Sequence, residues 1–180
     1  MKPTIIYVSG APGSGKTTLA KILAEQLYID HISSDMVKGG LEFTNPGQDR
    51  QASIGNVFLP LVIDHAEKGI SFVVDHVLQK DIAKSTIIEK LESVANVIYV
   101  HVQTEDPIKR YTERIQNSEL PDIIRRRELL LERATHHRDN LVNTAEVIDL
   151  DIPTIVVNTD EDYDPSVNEV VSFINEHKKF

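Results

Sequence analysis

The chain has no cysteine, and this absence removes several functions at once. Disulfide bonds, thiolate catalysis and cysteine-ligated zinc sites are all excluded. Basic residues are also in the minority, with 19 Lys and Arg against 28 Asp and Glu and a formal net charge of −9. Proteins that mainly coat nucleic acid carry the opposite balance, so the composition disfavours nucleic acid as the principal partner while allowing a local basic patch.

Long apolar runs are lacking as well. No stretch approaches the length of a membrane span, and the first residues do not have the pattern of a signal peptide, so we expect no membrane association and a cytoplasmic location. With 180 residues, we expect a single domain over residues 1–180 that buries about 70% of its unfolded surface. The sequence leaves the oligomeric state open.

What the sequence does have is a glycine-rich loop near its start. Residues 10–17 read Gly-Ala-Pro-Gly-Ser-Gly-Lys-Thr and fit the pattern Gly-x-x-x-x-Gly-Lys-Thr. Glycines allow backbone angles that turn successive amides toward a polyphosphate, Lys16 supplies charge for the β- and γ-phosphates, and the Thr17 hydroxyl can ligate Mg²⁺. We therefore predict that ATP and Mg²⁺ bind here, with nucleotide contacts from Gly10, Ala11, Pro12, Gly13, Ser14, Gly15, Lys16, Thr17 and Thr18.

The surroundings of this loop support that interpretation. An apolar, β-branched run at residues 4–9 has the pattern of a buried parallel strand, and leucines and isoleucines at helical spacing follow the loop. A strand, a phosphate loop and a helix in this order make a ligand-free glycine turn the weaker alternative.

Strands and helices alternate along the rest of the chain, which is typical of an α/β domain with a parallel sheet. We predict strands at 4–9, 29–33, 70–74, 97–102 and 154–157. We predict helices at 15–27, around 50–67, from Asp81, from Pro107, after Pro121 to about Leu141, and at 167–177. Residues 38–50 contain glycines, Asn and Pro and are predicted to be a loop. Asp164-Pro165 is expected to begin the last helix as Asp106-Pro107 begins an earlier one.

Two carboxylates stand at strand ends. Asp35 follows the second strand and Asp75 ends the third. In a parallel sheet the carboxyl ends of the strands share one edge, where ligands collect. We expect both side chains to lie beside the glycine-rich loop.

Residues 1–160 resemble the small P-loop kinases, in particular the branch of chloramphenicol phosphotransferase, zeta toxin and polynucleotide 5′-kinase. The likeness rests on the loop at 10–18, on Ile-Ser-Ser-Asp at 32–35, on Val-Val-Asp-His-Val-Leu at 73–78, and on the stretch from Val97 through Asp106-Pro107 to Arg110 and Arg114. It implies a three-layer fold with five parallel strands in the order 2-3-1-4-5. It also implies transfer of the γ-phosphate of ATP to an acceptor hydroxyl.

Asp35 resembles the family's catalytic carboxylate, which orients the acceptor hydroxyl and takes its proton. The alternative is a helix N-cap, since Ser-Ser-Asp suits that position. Where many relatives carry Arg three residues later this chain has Lys38, a point charge that cannot fork onto a phosphate, and this weakens the case for a nucleotide or nucleic-acid 5′-end as acceptor.

Asp75 resembles the acidic residue beside the P-loop, which holds the Mg²⁺ water shell with Thr17 or contacts the acceptor. Its alternative is a strand-terminating turn. In the family, a lid of about residues 114–127 closes arginines over ATP, and we assign catalytic roles to Lys16, Asp35, Arg114 and Arg126. The Arg triplet at 125–127 cannot act as one cluster, because consecutive helical residues point about 100° apart.

We expect an ATP-dependent kinase for a small hydroxyl-bearing molecule. A GTPase switch is excluded, because residues 75–78 read Asp-His-Val-Leu instead of Asp-x-x-Gly and no Asn-Lys-x-Asp is present. Two alternatives stay open: a nucleoside-monophosphate or polynucleotide kinase, and a nucleotide-binding ATPase with no small-molecule acceptor. The identity of the acceptor is not readable from the sequence.

Overall fold

The structure is a computed structural model, and it describes residues 2–44, 53–80, 87–119 and 121–178. Its centre is a five-stranded sheet whose strands all run parallel, in the order β2-β3-β1-β4-β5. The strands are β1 Thr4–Ser9, β2 Asp30–Ser33, β3 Phe72–Asp75, β4 Asn96–Gln103 and β5 Thr154–Asn158. The predicted α/β fold class and strand order are therefore confirmed.

Helices flank the sheet on both faces. They are α1 Lys16–Leu27, α2 Ser34–Thr44, α3 Leu59–Glu67, α4 Glu89–Val94, α5 Pro107–Gln116, α6 Pro121–Arg125, α7 Arg127–Asp139, α8 Leu141–Thr144 and α9 Val167–His177. A π-helical turn, Ile54–Phe58, precedes α3 directly. Helices on both faces explain why β1 is buried at every residue and has no polar alternation.

Two hydrophobic cores form, one on each face of the sheet. Alternate residues of β1 divide between them, with Tyr7 in one core and Val8 in the other. The first core packs the sheet against Phe58, α3 and α4, whereas the second packs it against α1 and α9. This arrangement brings the loop after β1 to the edge where β2 and β3 also end, because Ser33 pairs with Asp75 and Val8 with Asp75 in the strand register.

The predicted loop at 38–50 is wrong in its first part. Residues 38–44 belong to α2, which includes Gly39 and Gly40, while residues 45–50 lie outside the described part of the chain. A Cβ at either glycine would meet open space, and Val37 of the same helix packs against the first core. Tertiary burial therefore overrides the weak helix propensity of glycine here.

The predicted helix from Pro121 to about Leu141 is broken into α6, α7 and α8. Arg126 has φ −108° and ψ 11°, outside helical geometry, and Asn140 ends α7. The Asn140 side-chain amide donates to the His136 carbonyl at 3.0 Å, which competes with helix continuation.

Two smaller predictions also change. The last helix is capped by Ser166 rather than by Asp164-Pro165, since the Ser166 Oγ accepts from the Glu169 amide and the Glu169 carboxylate accepts from the Ser166 amide. The predicted start at Asp81 lies outside the described residues, as do residues 50–52 of the helix expected around 50–67.

In the portions of the chain that the structure describes, no helix has both the length and the hydropathy needed to cross a bilayer.

Candidate active site

The turn that joins β1 to α1 has a backbone that only glycine can adopt at three places. Gly10, Gly13 and Gly15 have φ values of 147°, 94° and 92°. A Cβ at Gly10 would collide with the Val102 carbonyl, and one at Gly13 would collide with the Pro107 carbonyl. The loop therefore lies tightly against β4 and α5, and any side chain at these two positions would open it.

The backbone amides of this loop are available to an anion. The N-cap of α1 is Gly15, which supplies no side-chain cap. Within the described residues, no backbone carbonyl accepts from the amides of Gly13, Lys16 or Thr17, whereas the Ser14 amide donates to the Ala11 carbonyl at 3.1 Å. Free amides at a helix N-terminus form a binding site for phosphate.

Lys16 stands at the centre of the charged groups. Its side chain is buried, and burial lowers the pKa of its ammonium group, opposed by the nearby carboxylates of Asp75 and Asp35. Arg114 and Lys38 add to the lowering of this pKa. The two carboxylates, which were predicted to converge here from separate stretches, and two further cations are thus within electrostatic reach of Lys16.

Asp75 is a buried carboxylate with one unused oxygen. Its Oδ2 accepts from the Ser33 hydroxyl at 3.4 Å and lies 3.9 Å from the His31 Nε2. Its Oδ1 is buried and has no hydrogen-bond partner among the described residues. A desolvated carboxylate oxygen with no partner costs free energy unless a ligand completes it. With the Thr17 hydroxyl at the start of α1, this donor set fits Mg²⁺, which takes oxygen ligands and retains much of its water.

Asp35 lies in the first turn of α2 and is open to the cleft. Its side chain is 72% exposed, and its Oδ1 accepts from the Lys38 Nζ at 3.4 Å. Since α2 begins at Ser34, Asp35 is inside the helix rather than at the N-cap position. The carboxylate therefore remains reachable by a ligand while it interacts favourably with the helix dipole.

The predicted arginines separate into different environments. Arg114 is exposed on α5, with its guanidinium carbon 5.5 Å from the centroid of the Tyr111 ring. Arg126 lies at the junction of α6 and α7 and is partly buried. Arg127 donates to the Ser118 carbonyl at 3.0 Å, so at least this member of the triplet has a structural contact. The lid at 114–127 and the catalytic role of Arg126 stay predictions.

A recess adjoins the glycine-rich loop on the side of β5. It has a volume of about 210 Å³, and it is lined by Gly15, Thr18, Arg110, Thr159, Glu161, Asp162 and Tyr163. The Arg110 guanidinium donates to the Thr159 carbonyl and hydroxyl at 2.8 Å each, and the Thr159 hydroxyl donates to the Ser14 carbonyl at 2.7 Å. These bonds fix the loop after β5 against the glycine-rich loop.

The structural role of Asp160 could not be predicted from the sequence. Its carboxylate accepts from the Thr104 hydroxyl and from the Glu105 amide, the latter at 2.9 Å, and so joins the ends of β4 and β5. Nothing in the local sequence distinguishes Asp160 from its neighbours, because its partners lie 55 residues away.

Two histidines lie within electrostatic reach of Lys16. His76 follows Asp75, and its ring lies 5.1 Å from that of Phe58; burial lowers its pKa to about 3. His137 of α7 packs edge-on against Tyr111 at 5.0 Å, and burial lowers its pKa to about 4, with further lowering by nearby cations that include Lys16. No local sequence pattern predicts the contact of His137 with Tyr111, because the two residues lie on different helices, α7 and α5.

Comparison with known proteins agrees with this arrangement. The family described as AAA domain matches residues 6–131. A candidate kinase of Chloroflexus aurantiacus has a similar structure, with a TM-score of 0.72, 19% identity, and coverage of 99% of this chain and 100% of that one. A gluconokinase of Sinorhizobium meliloti has a TM-score of 0.59 at 16% identity, with coverage of 97% and 93%. The fold is that of P-loop kinases.

The curated relatives to which this chain is similar include adenylate kinases. That of Chlamydia trachomatis is 47% identical over 45 residues, and the match spans 24% of this chain but only 18% of the relative. The adenylate kinase of Nocardia farcinica is 25% identical over 161 residues, which is 78% of this chain and 89% of that protein. The narrower likeness to the chloramphenicol phosphotransferase branch stays a prediction.

Proposed function

This chain belongs to the family of AAA domains, and on that premise we propose that it is an ATP-dependent kinase that phosphorylates a hydroxyl of a small molecule. The observation that carries the proposal is the position of Lys16, which is buried at a phosphate-binding loop and within electrostatic reach of the carboxylates of Asp35 and Asp75. A phosphate-binding loop by itself does not distinguish a kinase from other nucleotide-binding proteins. An exposed carboxylate beside it adds the group that a hydroxyl nucleophile needs.

In the proposed reaction the acceptor oxygen attacks the γ-phosphorus while the bond from that phosphorus to the β–γ bridging oxygen breaks. Asp35 accepts the hydroxyl proton, ADP leaves, and the product is a phosphate monoester. Lys16 and Arg114 balance the negative charge on the transferred group, and the amides of the loop hold the β-phosphate. Mg²⁺, held through Thr17 and Asp75, supplies further neutralisation of the phosphates when it is bound.

The adenine of ATP is placed in the recess between Arg110 and the loop after β5. Its volume of about 210 Å³ is adjacent to Gly15 and Thr18, directly beyond the phosphate cradle. The Thr159 backbone and the Tyr163 ring border this recess, which supplies both polar and flat apolar surface to a purine.

A nucleoside-monophosphate or polynucleotide kinase is the second candidate, and its support is the similarity to adenylate kinases. Against it stands the segment after β3, where Asp75 is followed by His76, Val77 and Leu78 with no arginine to hold an acceptor phosphate. An acceptor-free ATPase is the third candidate.

One experiment separates the three candidates. The protein is incubated with γ-labelled ATP and Mg²⁺ and with glycerol, erythritol, D-ribose, D-gluconate, AMP, CMP or a 5′-hydroxyl oligonucleotide, and products are resolved by chromatography. The proposal expects a labelled phosphate monoester of at least one non-nucleotide hydroxyl compound. Label found only on the nucleotides would support the second candidate, and label released only as inorganic phosphate would support the third.

The role of Asp35 is tested in the same assay. Asp35→Asn is expected to lower transfer by at least about tenfold while the KM for ATP stays nearly constant, because it removes the proton acceptor and leaves the phosphate cradle. Asp64→Asn, which changes a half-exposed carboxylate paired with Lys68 on α3, is the matched control and should retain the wild-type rate. An equal loss of ATP affinity in Asp35→Asn would show that this carboxylate supports the fold of the site instead.

A further inference from the structure

The hydroxyl of Thr159, directly after β5, attaches the glycine-rich loop to the sheet. Thr159 is buried, and its Oγ1 donates to the Ser14 carbonyl at 2.7 Å. The same side chain packs on Gly15, since a Cβ built on that glycine would lie 3.5 Å from the Thr159 Oγ1 and 3.8 Å from its methyl group. Thr159 therefore contacts both residues that form the Ser14–Gly15 peptide unit.

Thr159 is itself held by β4 and α5. Its amide donates to the Gln103 carbonyl at 3.1 Å, and the Arg110 guanidinium donates to its carbonyl and to its hydroxyl at 2.8 Å each. A hydroxyl that accepts from a guanidinium is polarised, which strengthens the hydrogen bond that it donates. The Gln103 carbonyl is the more distant acceptor for the hydroxyl proton, at 3.4 Å. The proton is therefore directed to the Ser14 carbonyl.

Ser14 has little else to fix its orientation. The residue is fully buried, and its amide donates to the Ala11 carbonyl at 3.1 Å, within the loop itself. Its Oγ has no hydrogen-bond partner in the part of the chain that the structure describes. The bond from Thr159 therefore fixes the direction of the Ser14 carbonyl relative to the sheet.

The direction of this carbonyl sets the direction of the next amide. In a planar trans peptide the C=O and the following N–H point in opposite directions, so the Gly15 N–H points away from Thr159. No backbone carbonyl of the described residues accepts from this N–H, and Gly15 is the N-cap of α1, so it is the first of the free amides at that helix terminus. Since glycine adopts either sign of φ, Gly15 itself does not prevent the peptide from turning over.

We propose that Thr159 is a positioning residue, which keeps the Ser14–Gly15 peptide turned with its N–H toward the phosphates and so preorganises the loop before a polyphosphate binds. A peptide that turned over would present the Ser14 carbonyl to the anion and replace a donor by a repelling dipole. This inference rests on the proposed function. It identifies the triphosphate, rather than the base, as the part of the nucleotide that Thr159 supports.

Isothermal titration calorimetry with Mg²⁺ and inorganic tripolyphosphate, which carries no base, measures this support. Thr159→Val keeps the shape of the side chain and removes the hydroxyl. It should raise the Kd for tripolyphosphate by about tenfold or more because one donor to the anion is lost, whereas Thr159→Ser should stay within about threefold of wild type. Thr154→Val is the matched control at the other end of β5. The Thr154 Oγ1 donates to the Ile152 carbonyl at 3.0 Å, so this variant loses the same kind of bond away from the loop and should bind like wild type.

The outcomes separate this inference from the proposed kinase. An unchanged Kd in Thr159→Val would overturn the inference and leave the proposed function intact, and an equal loss of affinity in Thr159→Ser would overturn it too. Failure of wild type to bind tripolyphosphate would reject the inference, and failure to bind an ATP analogue as well would reject the proposed function. The expected loss of affinity in a protein that phosphorylates none of the acceptors would retain the inference and reject the kinase.

A spectroscopic measurement on wild type does not depend on the folding of any variant. In ¹H–¹⁵N spectra the Gly15 amide proton should move downfield when Mg²⁺ and tripolyphosphate are added, because its N–H then donates to an anionic oxygen. The shift should be smaller in folded Thr159→Val and should be reproduced by Thr154→Val. A Gly15 signal that does not respond to tripolyphosphate in wild type would overturn the inference.

Discussion

At the scale of single residues, the site combines groups whose roles follow from their solvation. Lys16 and Asp75 are both buried at the edge of the sheet, whereas Asp35 is largely exposed. A buried carboxylate with an unpartnered oxygen suits a fixed role beside a metal ion, and an exposed one suits a group that must meet an incoming substrate. We therefore propose that Asp75 serves the metal ion and that Asp35 serves the acceptor hydroxyl.

This division predicts a specific defect for Asp75. Asp75→Asn should raise the Mg²⁺ concentration needed for half-maximal transfer by about tenfold or more, because a neutral amide oxygen replaces a charged ligand of the metal's shell. Transfer at saturating Mg²⁺ should recover in large part. Asp30→Asn, an exposed change on the neighbouring strand β2, is the control, and a magnesium titration of initial rates decides. Identical titration curves for Asp75→Asn and wild type would assign Asp75 to the acceptor or to strand termination.

At the scale of elements, the buried strands were the easiest to predict from the sequence. β1 and β4 are buried nearly throughout because helices cover both faces, and their predicted bounds differ from the observed ones by at most one residue. The glycine-rich loop, Asp35 and Asp75 could be placed at one edge by topology alone. Contacts between distant segments could not, as Arg110 with Thr159 and His137 with Tyr111 show.

Helix α2 shows why an element outside the buried strands could not be predicted from the sequence. Gly39 and Gly40 signal a loop in isolation, yet both lie in a helix whose Val37 packs on the core. The packing partners of that helix come from other parts of the chain, and no local pattern reveals them. Two glycines in a helix beside the proposed proton acceptor also leave that helix intrinsically weak.

A pair of glycine replacements tests the conformations of the helical Gly40 and of Gly13 in the glycine-rich loop. Gly40→Ala should stabilise the protein by about 0.5–1 kcal/mol, because a Cβ there meets open space and alanine favours the helix. Gly13→Ala should instead destabilise the protein and weaken ATP binding, since its φ of 94° is strained for alanine and its Cβ would meet the Pro107 carbonyl. Urea unfolding of both variants gives the comparison. A loss of stability in Gly40→Ala would mean that residues 39–40 are not helical in solution.

At the scale of the whole molecule, the structure concentrates cations in a protein that is acidic overall. The formal net charge is −9, yet Lys16, Lys38 and Arg114 gather around the loop. The local field therefore attracts a polyphosphate although the molecule as a whole does not.

Two partly buried histidines, His76 and His137, predict how stability depends on pH. The pKa of His76 is about 3 and that of His137 about 4 in the folded protein, against about 6.5 in an unfolded chain. As the pH falls below about 6.5 the unfolded chain binds protons that the folded protein does not, so stability is full above that pH and declines toward pH 4. For His76 the loss between pH 7.5 and 5 is at most about 2 kcal/mol.

Urea unfolding at several pH values measures this effect. His76→Phe should lose less stability than wild type between pH 7.5 and 5, while His177→Phe should follow wild type. Parallel curves for wild type and His76→Phe would mean that His76 is solvated and titrates normally in the folded protein.

The central claim is that the loop after β1 holds the phosphates of ATP and that Lys16 is its essential charge. Isothermal titration calorimetry of wild type, Lys16→Ala and the control Lys21→Ala, an exposed change on α1, tests it most directly with Mg²⁺ and a non-hydrolysable ATP analogue. We expect saturable binding by wild type and Lys21→Ala with a Kd on the order of 10⁻⁶ to 10⁻³ M, and at least about tenfold weaker binding by a folded Lys16→Ala. Absence of binding of any purine triphosphate by wild type, or unchanged affinity in Lys16→Ala, would contradict it.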